Sequence, residues 1–529
     1  MTPPVTTSAA RPDEALSRGR SALAGLLAAA AALGSGELVA GLVRRFVSPI
    51  EAVAEEFIDV TPTAMEQWAI RTFGENDKLV LIVGAVVTVC LFGAVLGLLS
   101  RRRPALATGG VVLLGVVAAT ASVAFTGDSL SAVPSVVAIP AGLGALYLLT
   151  GRPVAPFPAN TDIDGAAPDG PPRVVTDRRW FLMTAAGVGA AAAAAAVVGR
   201  QIATRFSAVA SRAAVVLPGV RSPLPAPAPG VTLDVDGISP YYTPAGEFYR
   251  VDTALSVPQV PTEGWTLRIH GMVDQERTYT YEDLLARDLV EADITLTCVS
   301  NTVGGDLLGH ARWTGVRLSE LLDEAGVSPN ADQIVGRSVD EWTGGFPVQA
   351  AYDRETLVVV GMNGEPLPID RGFPARLIVP GLYGYVSATK WLQDIELTRF
   401  DEFDQYWVQR GWVADGTIKT QCRIDTPQPV NAIEAGPRQI GGVAWAQTRG
   451  ISKVEVKVDD GPWQEAELGE EFNTTSWRQW RLPWDATPGA HRITVRATDG
   501  TGELQTDERT DPYPSDATGW HSLFVSVSG

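Results

Sequence analysis

The chain has 529 residues, 46% of them hydrophobic, and a formal net charge of −18. That length is too great for one core, so several domains are expected. The acidic balance argues against a nucleic-acid binder, which needs a basic footprint. Three cysteines without a CxxC pair support neither a zinc ribbon nor a cysteine-rich iron–sulfur site.

Residues 1–20 read as a polar cytoplasmic tail. Four apolar runs of spanning length follow: Ser21 to Val43, Leu79 to Ser100, Ala105 to Phe125 and Ala132 to Thr150. They predict a four-span membrane bundle over 21–150. A linker (151–180) leads to a fifth, alanine-rich span (181–200).

Short-loop basic residues set the orientation. Arg11, Arg18 and Arg20 lie in the tail, Arg101-Arg102-Arg103 after span two, and Arg152, Arg173, Arg178 and Arg179 before span five. The loop after span three has none, while Arg44 and Arg45 dissent. The balance predicts a multi-pass cell-membrane protein, N-terminus inside and everything after span five outside. Arg178-Arg179-Trp180-Phe181-Leu182 before an Ala/Gly-rich run resembles a twin-arginine export signal, or an ordinary positive-inside anchor.

Glu37, an acid inside a span, suggests an interfacial ion pair with Arg44 or Arg45. The four histidines, His270, His310, His491 and His521, all lie outside the spans. A bis-histidine haem within the bundle therefore lacks ligands, and the bundle reads as an anchor or docking platform.

Residues 201–230, with Leu-Pro-Ala-Pro-Ala-Pro, read as a polyproline-stiffened stalk. From Val231, alternating strands and short helices predict an α+β domain to 415. The last segment, 416–529, has strand patterns over Val443–Val458 and His491–Thr498 with a turn at Asp459-Asp460-Gly461-Pro462, predicting an all-β sandwich.

The chemistry centres on Ile294 to Leu318. A β-rich run delivers Cys298 into a turn before Gly304-Gly305. Such a cysteine could offer a thiolate to a metal, or be a small buried hydrophobe. A Cys298–Cys422 disulfide in an exported domain is a third possibility.

Six ordered motifs bear on the choice. They are Thr297-Cys298-Val299-Ser300-Asn301, Ala311-Arg312-Trp313-Thr314-Gly315-Val316, Met362-Asn363-Gly364-Glu365-Pro366-Leu367, Gly372-Phe373-Pro374-Ala375-Arg376-Leu377, Pro380-Gly381 and Lys390-Trp391-Leu392. From Val231 onward the chain resembles the sulfite oxidase-like molybdopterin family.

The resemblance implies a molybdenum–molybdopterin cofactor with Cys298 as the protein's metal ligand. Phe248-Tyr249-Arg250-Val251-Asp252 resembles the family's Phe-x-Arg-Asn-His segment, which lines pterin and substrate pocket. Arg250 falls on its arginine; Asp252 replaces the usual histidine. Asp340 would face the pterin ring as an acceptor. Arg376 could fork onto the cofactor phosphate, and Arg371, replacing a histidine, could serve the same anion. Ala388, Thr389 and Lys390 would contact the pterin. Trp313 and Trp391 read better as core. Similar sequences end in an immunoglobulin-like domain often used for dimerisation, implying a possible homodimer.

The departures concern the substrate. Where the family places anion-binding arginines, this chain has Val303, and Ser515 to His521 holds none. Val360 stands in place of its active-site tyrosine. Binding a dianion needs several donors to offset desolvation. The expectation is therefore oxygen-atom transfer with a small oxide such as a sulfoxide, with electrons exchanged through a quinone, haem protein or other partner. A sulfite dehydrogenase of the same family and a cofactor-free cell-surface scaffold are the rival readings.

Overall fold

The computed structural model describes residues 16–62, 65, 68–69, 72–73, 76–151, 178–429 and 432–529. Most of the tail and nearly all of the 151–180 linker, to residue 177, lie outside the described residues. The chain divides into two compact units, Met1–Ser207 and Ala208–Gly529.

The first unit contains α1 (Arg18–Ala40), α2 (Pro49–Asp59), α3 (Asp77–Leu99), α4 (Pro104–Thr126), α5 (Val133–Thr150) and α6 (Arg178–Ala203). Among the described residues, five helices are long and apolar enough to cross a membrane, and they coincide with the five predicted runs to within a few residues. Helix α1 packs against α3, α5 and α6. Small residues make this possible, because apolar surface gains nothing from association in lipid. A Cβ on Gly25 would sit 2.0 Å from Gly93 O, and one on Gly34 2.4 Å from Ala192 O. The alanine-rich α6 is thus held by close backbone approach.

Helix α2 went unpredicted, though its start is legible. Ser48 caps it by accepting from Glu51 N at 3.4 Å, and Pro49 opens its first turn. The Ser48 hydroxyl also donates to Glu37. Of the two arginines expected near Glu37, Arg45 lies 3.8 Å from Asp128.

The second unit begins with α7 (Val209–Ala214). The chain expected as a Pro-rich stalk is tied down at two points here. Arg212 Nε donates to Leu367 O at 2.8 Å, and Arg312 Nη1 to Leu224 O at 3.1 Å.

Strands β1 (Thr266–Gly271), β2 (Arg277–Thr280), β3 (Val290–Thr297), β4 (Leu308–Arg317), β5 (Gln333–Ser338), β6 (Thr343–Pro347), β7 (Leu357–Met362), β8 (Glu365–Pro366), β9 (Arg376–Ile378) and β10 (Leu392–Thr398) follow. They form two sheets, β2-β1-β10-β5-β6 and β3-β4-β7-β8, with β9 added to β7. Only β1 and β10 pair in parallel here. Short helices connect them: α8 (Tyr281–Leu285), α9 (Leu318–Ala325), α10 (Gln349–Tyr352) and α11 (Gly384–Ser387). Strand β7 is buried throughout, as a central run of Leu-Val-Val-Val requires.

The remaining strands are β11 (Gln421–Thr426), β12 (Ile433–Glu434), β13 (Gly436–Trp445), β14 (Ile451–Val458), β15 (Gln464–Glu465), β16 (Glu467–Leu468), β17 (Arg478–Ala486), β18 (Gly489–Asp499) and β19 (His521–Ser528). Sheets β11-β13-β17-β16 and β12-β19-β18-β14-β15 share one core, with Cys422, Ile440 and Trp480 meeting Val454, Ile493 and Val525. The expected strand over 443–458 is two strands, broken by a turn in which Thr448 (φ 71°) and Gly450 (φ 76°) are left-handed. The boundary at 415/416 is crossed by packing: Val443, Trp445 and Trp477 belong to the core of the preceding sheets.

Candidate functional site

Strand β3 is the support. It is buried from Ala292 to Thr297, and the last sheets clamp it. Thr295 N donates to Thr475 O at 3.0 Å, and Gln447 Nε2 to Thr295 O at 3.0 Å. Cys298 emerges at its end, 7% exposed. The loop behind it is sewn shut: Cys298 N donates to Leu307 O at 2.9 Å, and Leu307 N to Asn301 Oδ1 at 2.9 Å. Arg423 Nη1 donates to Gly305 O at 2.8 Å. Gly304 is left-handed (φ 81°), and a Cβ there would lie 2.3 Å from the His521 ring. Burial pushes the Cys298 thiol up, with Ser300 hydrogen bonds and Lys390 opposing it. A soft metal would displace that proton. Cys298 and Cys422 are both free thiols, so the disulfide does not form.

Phe248–Asp252 crosses beside this loop. The Phe248 ring fills the space over Gly309, where a Cβ would be 2.7 Å away, and meets Trp313 edge-on at 5.5 Å. Tyr249 stacks on Phe248 at 5.4 Å and lies near Cys298, Arg371 and Arg376, with burial pushing its phenol up. Arg250 grips Asp252 with Nε at 2.7 Å and Nη2 at 3.2 Å. Lys390 Nζ joins the same carboxylate at 2.8 Å and donates to Val251 O at 3.0 Å. Burial lowers Lys390 to about 8, against the pull of Asp252.

Arg371 donates to Asp370 at 2.6 Å and to Phe248 O. Arg376 is deeply buried over Trp313 at 5.5 Å. Its fork reaches Arg371 O at 3.1 Å and Ala388 O at 3.5 Å, and burial lowers it to about 10. Thr389 Oγ1 donates to Gly336 O at 3.4 Å. Burial pushes the Asp340 carboxyl up, and Asp252 adds to that. Glu341 (φ 67°) and Trp391 (φ 47°), next to Asp340 and Lys390, hold strained backbone, which persists where surroundings over-determine it.

The cluster therefore unites the residues singled out from sequence: Cys298, Phe248 to Asp252, Asp340, Arg371, Arg376 and Ala388 to Lys390. Val251 takes part through its carbonyl alone, since its side chain is exposed. Trp313 and Trp391 are core, as expected. Sequence reasoning missed Tyr383, buried near Cys298 and Asp516; its signal is an aromatic pair in Gly-Leu-Tyr-Gly-Tyr. It also missed Arg423 and His521, which brace the cysteine loop from β11 and β19.

Whether these residues suit a molybdopterin can be judged from what they leave unpaired. Among the described residues, Asp340 Oδ1, Arg371 Nε and Arg376 Nε are buried with no hydrogen-bond partner. Such groups cost about 1–3 kcal/mol each unless something completes them. Two guanidinium donors suit a phosphate, and a carboxylate acceptor suits ring N–H groups. The set fits.

Residues 254–407 match the family model of the oxidoreductase molybdopterin binding domain. Mitochondrial sulfite oxidase of Mus musculus is 27% identical over 340 residues, covering 54% of this chain and 62% of that protein. The uncharacterized oxidoreductase YuiH of Bacillus subtilis is 31% identical over 148 residues, covering 28% of this chain and 72% of that protein. The crystal structure of the sulfane dehydrogenase SoxCD from Paracoccus pantotrophus aligns over 55% of this chain and 82% of its own, at 23% identity and TM-score 0.49. The chain spans less than two thirds of the length of the mammalian relative.

Fold and site define a molybdopterin-binding oxidoreductase. The chain belongs to the sulfite oxidase-like family of these enzymes, whose cofactor is a molybdenum–molybdopterin.

Proposed function

We propose that the chain is a membrane-anchored, extracytoplasmic oxidoreductase exchanging an oxygen atom and two electrons with a small uncharged oxide, such as a sulfoxide. The observation that carries this is a buried Cys298 facing the same cluster as three buried atoms without a hydrogen-bond partner among the described residues, Arg371 Nε, Arg376 Nε and Asp340 Oδ1. When bound, the cofactor supplies a two-electron couple and a site for oxygen-atom exchange. Cys298 would be its protein ligand, Arg371 and Arg376 would hold its phosphate, and Asp340 its ring N–H groups. Thr389, Ala388 and Lys390 would close over the pterin.

The chain's own residues shape the substrate end. Val303 offers no charge, and near Tyr383 the C-terminal segment presents the carboxylate of Asp516 instead of a guanidinium. A doubly charged anion finds poor compensation there, whereas a neutral S=O oxygen needs only one or two donors. Tyr249 offers one: its hydroxyl has no hydrogen-bond partner among the described residues. The second reading is sulfite oxidation, which the name of the mouse relative favours. The C-terminal sheets, read as an immunoglobulin-like domain, would supply a dimer surface. Electrons would pass to or from a separate quinone or haem protein.

Metal analysis of protein exported from a molybdenum-competent host tests the class. About one Mo per chain is expected, retained because bound cofactor stabilises the native state. Less than about 0.1 Mo, with no pterin fluorescence on denaturation, would sink the reading. Assaying methyl sulfoxide reduction beside sulfite oxidation tests the substrate; saturable sulfite turnover would favour the second reading.

A further inference from the structure

We infer that Asp252 sets the charge preference of the site, by holding Arg250 and Lys390 in an internal ion triad that keeps both cations from a dianionic substrate. The inference rests on the oxygen-atom-transfer reading above and adds the residue that excludes sulfite-like anions.

The geometry is specific. Asp252 is only 4% exposed at its side chain, while Arg250 is 35% and Lys390 11% exposed. The Nε–Nη2 edge of Arg250, which would grip an oxyanion bidentately, is already spent on both Asp252 oxygens at 2.7 and 3.2 Å. Lys390 Nζ is spent on Oδ2 at 2.8 Å and on Val251 O at 3.0 Å. A dianion seeking that edge would have to displace a buried carboxylate from its two-pronged partner, and breaking such a buried pair is costly.

Relief is not available nearby. Asp340 adds a second buried carboxyl that already interacts unfavourably with Asp252. Arg371, a cation that interacts with Asp252, is engaged by Asp370 and Phe248 O. With Asp252 neutral, the fork of Arg250 and the ammonium of Lys390 would be released to an anion, a difference in available donors. An uncharged S=O compound neither gains nor loses much from that difference, so Asp252 acts mainly on anions.

The test uses the full-length, cofactor-loaded protein in detergent, with sulfate as a dianion that is not turned over. Sulfate binding is measured by titration calorimetry, and kcat/KM is measured for sulfite and methyl sulfoxide. In Asp252→Asn, sulfate should bind at least about 10-fold tighter, and the sulfite-to-sulfoxide ratio of kcat/KM should rise by a similar factor. Arg250→Gln in the native background should leave the weak sulfate affinity within about 2-fold, because that fork is already committed. Unchanged sulfate affinity in Asp252→Asn would overturn the inference. So would a loss of native sulfate binding in Arg250→Gln, which stays decisive even where the first variant does not fold. Saturable sulfite turnover by the native protein would instead overturn the substrate reading, whatever the variants do.

Discussion

Cys298→Ser separates the two roles open to that side chain. A serine hydroxyl is close in size but a harder, far less acidic ligand. Arg376, Asp340 and the Lys390 loop would still grip the cofactor away from the metal. The expected protein is folded and carries its molybdenum, with turnover per metal down roughly 100-fold or more, the scale lost when a group acting at the transition state is removed. A merely buried cysteine would instead lose about 1 kcal/mol of stability and leave turnover nearly intact. Turnover per bound metal, measured beside Tm, decides between them. At this scale the sequence was informative wherever a residue sits in a short motif: Cys298, Arg376 and Lys390 meet in one cluster. It was silent where function depends on contacts between distant segments. Nothing in Phe-Tyr-Arg-Val-Asp says that Asp252 will bind both its neighbour Arg250 and Lys390, 138 residues away.

The elements that carry these residues are braced from outside the domain that holds them. The Cys298 loop is pinned by Arg423 on β11 and His521 on β19. His521 Nδ1 accepts from Ile424 N at 3.0 Å, which requires that nitrogen unprotonated. Burial, joined by the charges of Arg423 and Arg509 and opposed by Asp425, lowers its pKa to about 4. In the unfolded chain a histidine titrates near 6.5, so from that pH down to about 4 the unfolded state binds the extra proton. The stabilisation is therefore full above about 6.5 and is lost as pH falls toward 4, by at most about 3 kcal/mol. His521→Asn, whose amide oxygen can accept from Ile424 N, should flatten this part of the profile. Urea midpoints of the loaded protein between pH 7 and pH 4 measure it; equal slopes in both proteins would remove His521 as the cause. This bracing also crosses the boundary that the strand patterns suggest at 415/416. Strand patterns are local, whereas the packing of Trp445 and Trp477 into the preceding core depends on surfaces that meet only in the fold. The short helix α2 is hard to see for a different reason: Ser48-Pro49 is its main local signal, in a loop otherwise marked by its charges.

Across the whole molecule, the apolar helices were the most legible feature, because about 20 consecutive apolar residues carry their own signal. Their orientation rests on loop charge and is open to a direct test. Arg101 to Arg103 follow α3, and Arg178 and Arg179 open α6; by the positive-inside rule both face the cytoplasm. On that reading, an odd number of crossings would put Ala208–Gly529 outside. Reporter fusions after Arg103, Gly170 and Gly230 should read inside, inside and outside. A cytoplasmic reading at Gly230 would refute the topology and place the molybdenum site in the cytoplasm. The twin-arginine arm adds a separate readout. A molybdopterin domain loaded before export must cross folded, and a weakly apolar, alanine-rich α6 suits that route better than a leucine-rich span. Replacing both residues, Arg178→Lys with Arg179→Lys, keeps the positive charge but removes the guanidinium pair a twin-arginine receptor would read. Export of active enzyme should then fall about 10-fold or more, with loaded protein retained inside. If the pair serves only as a positive-inside anchor, the lysines will do as well, and external activity will match the native chain.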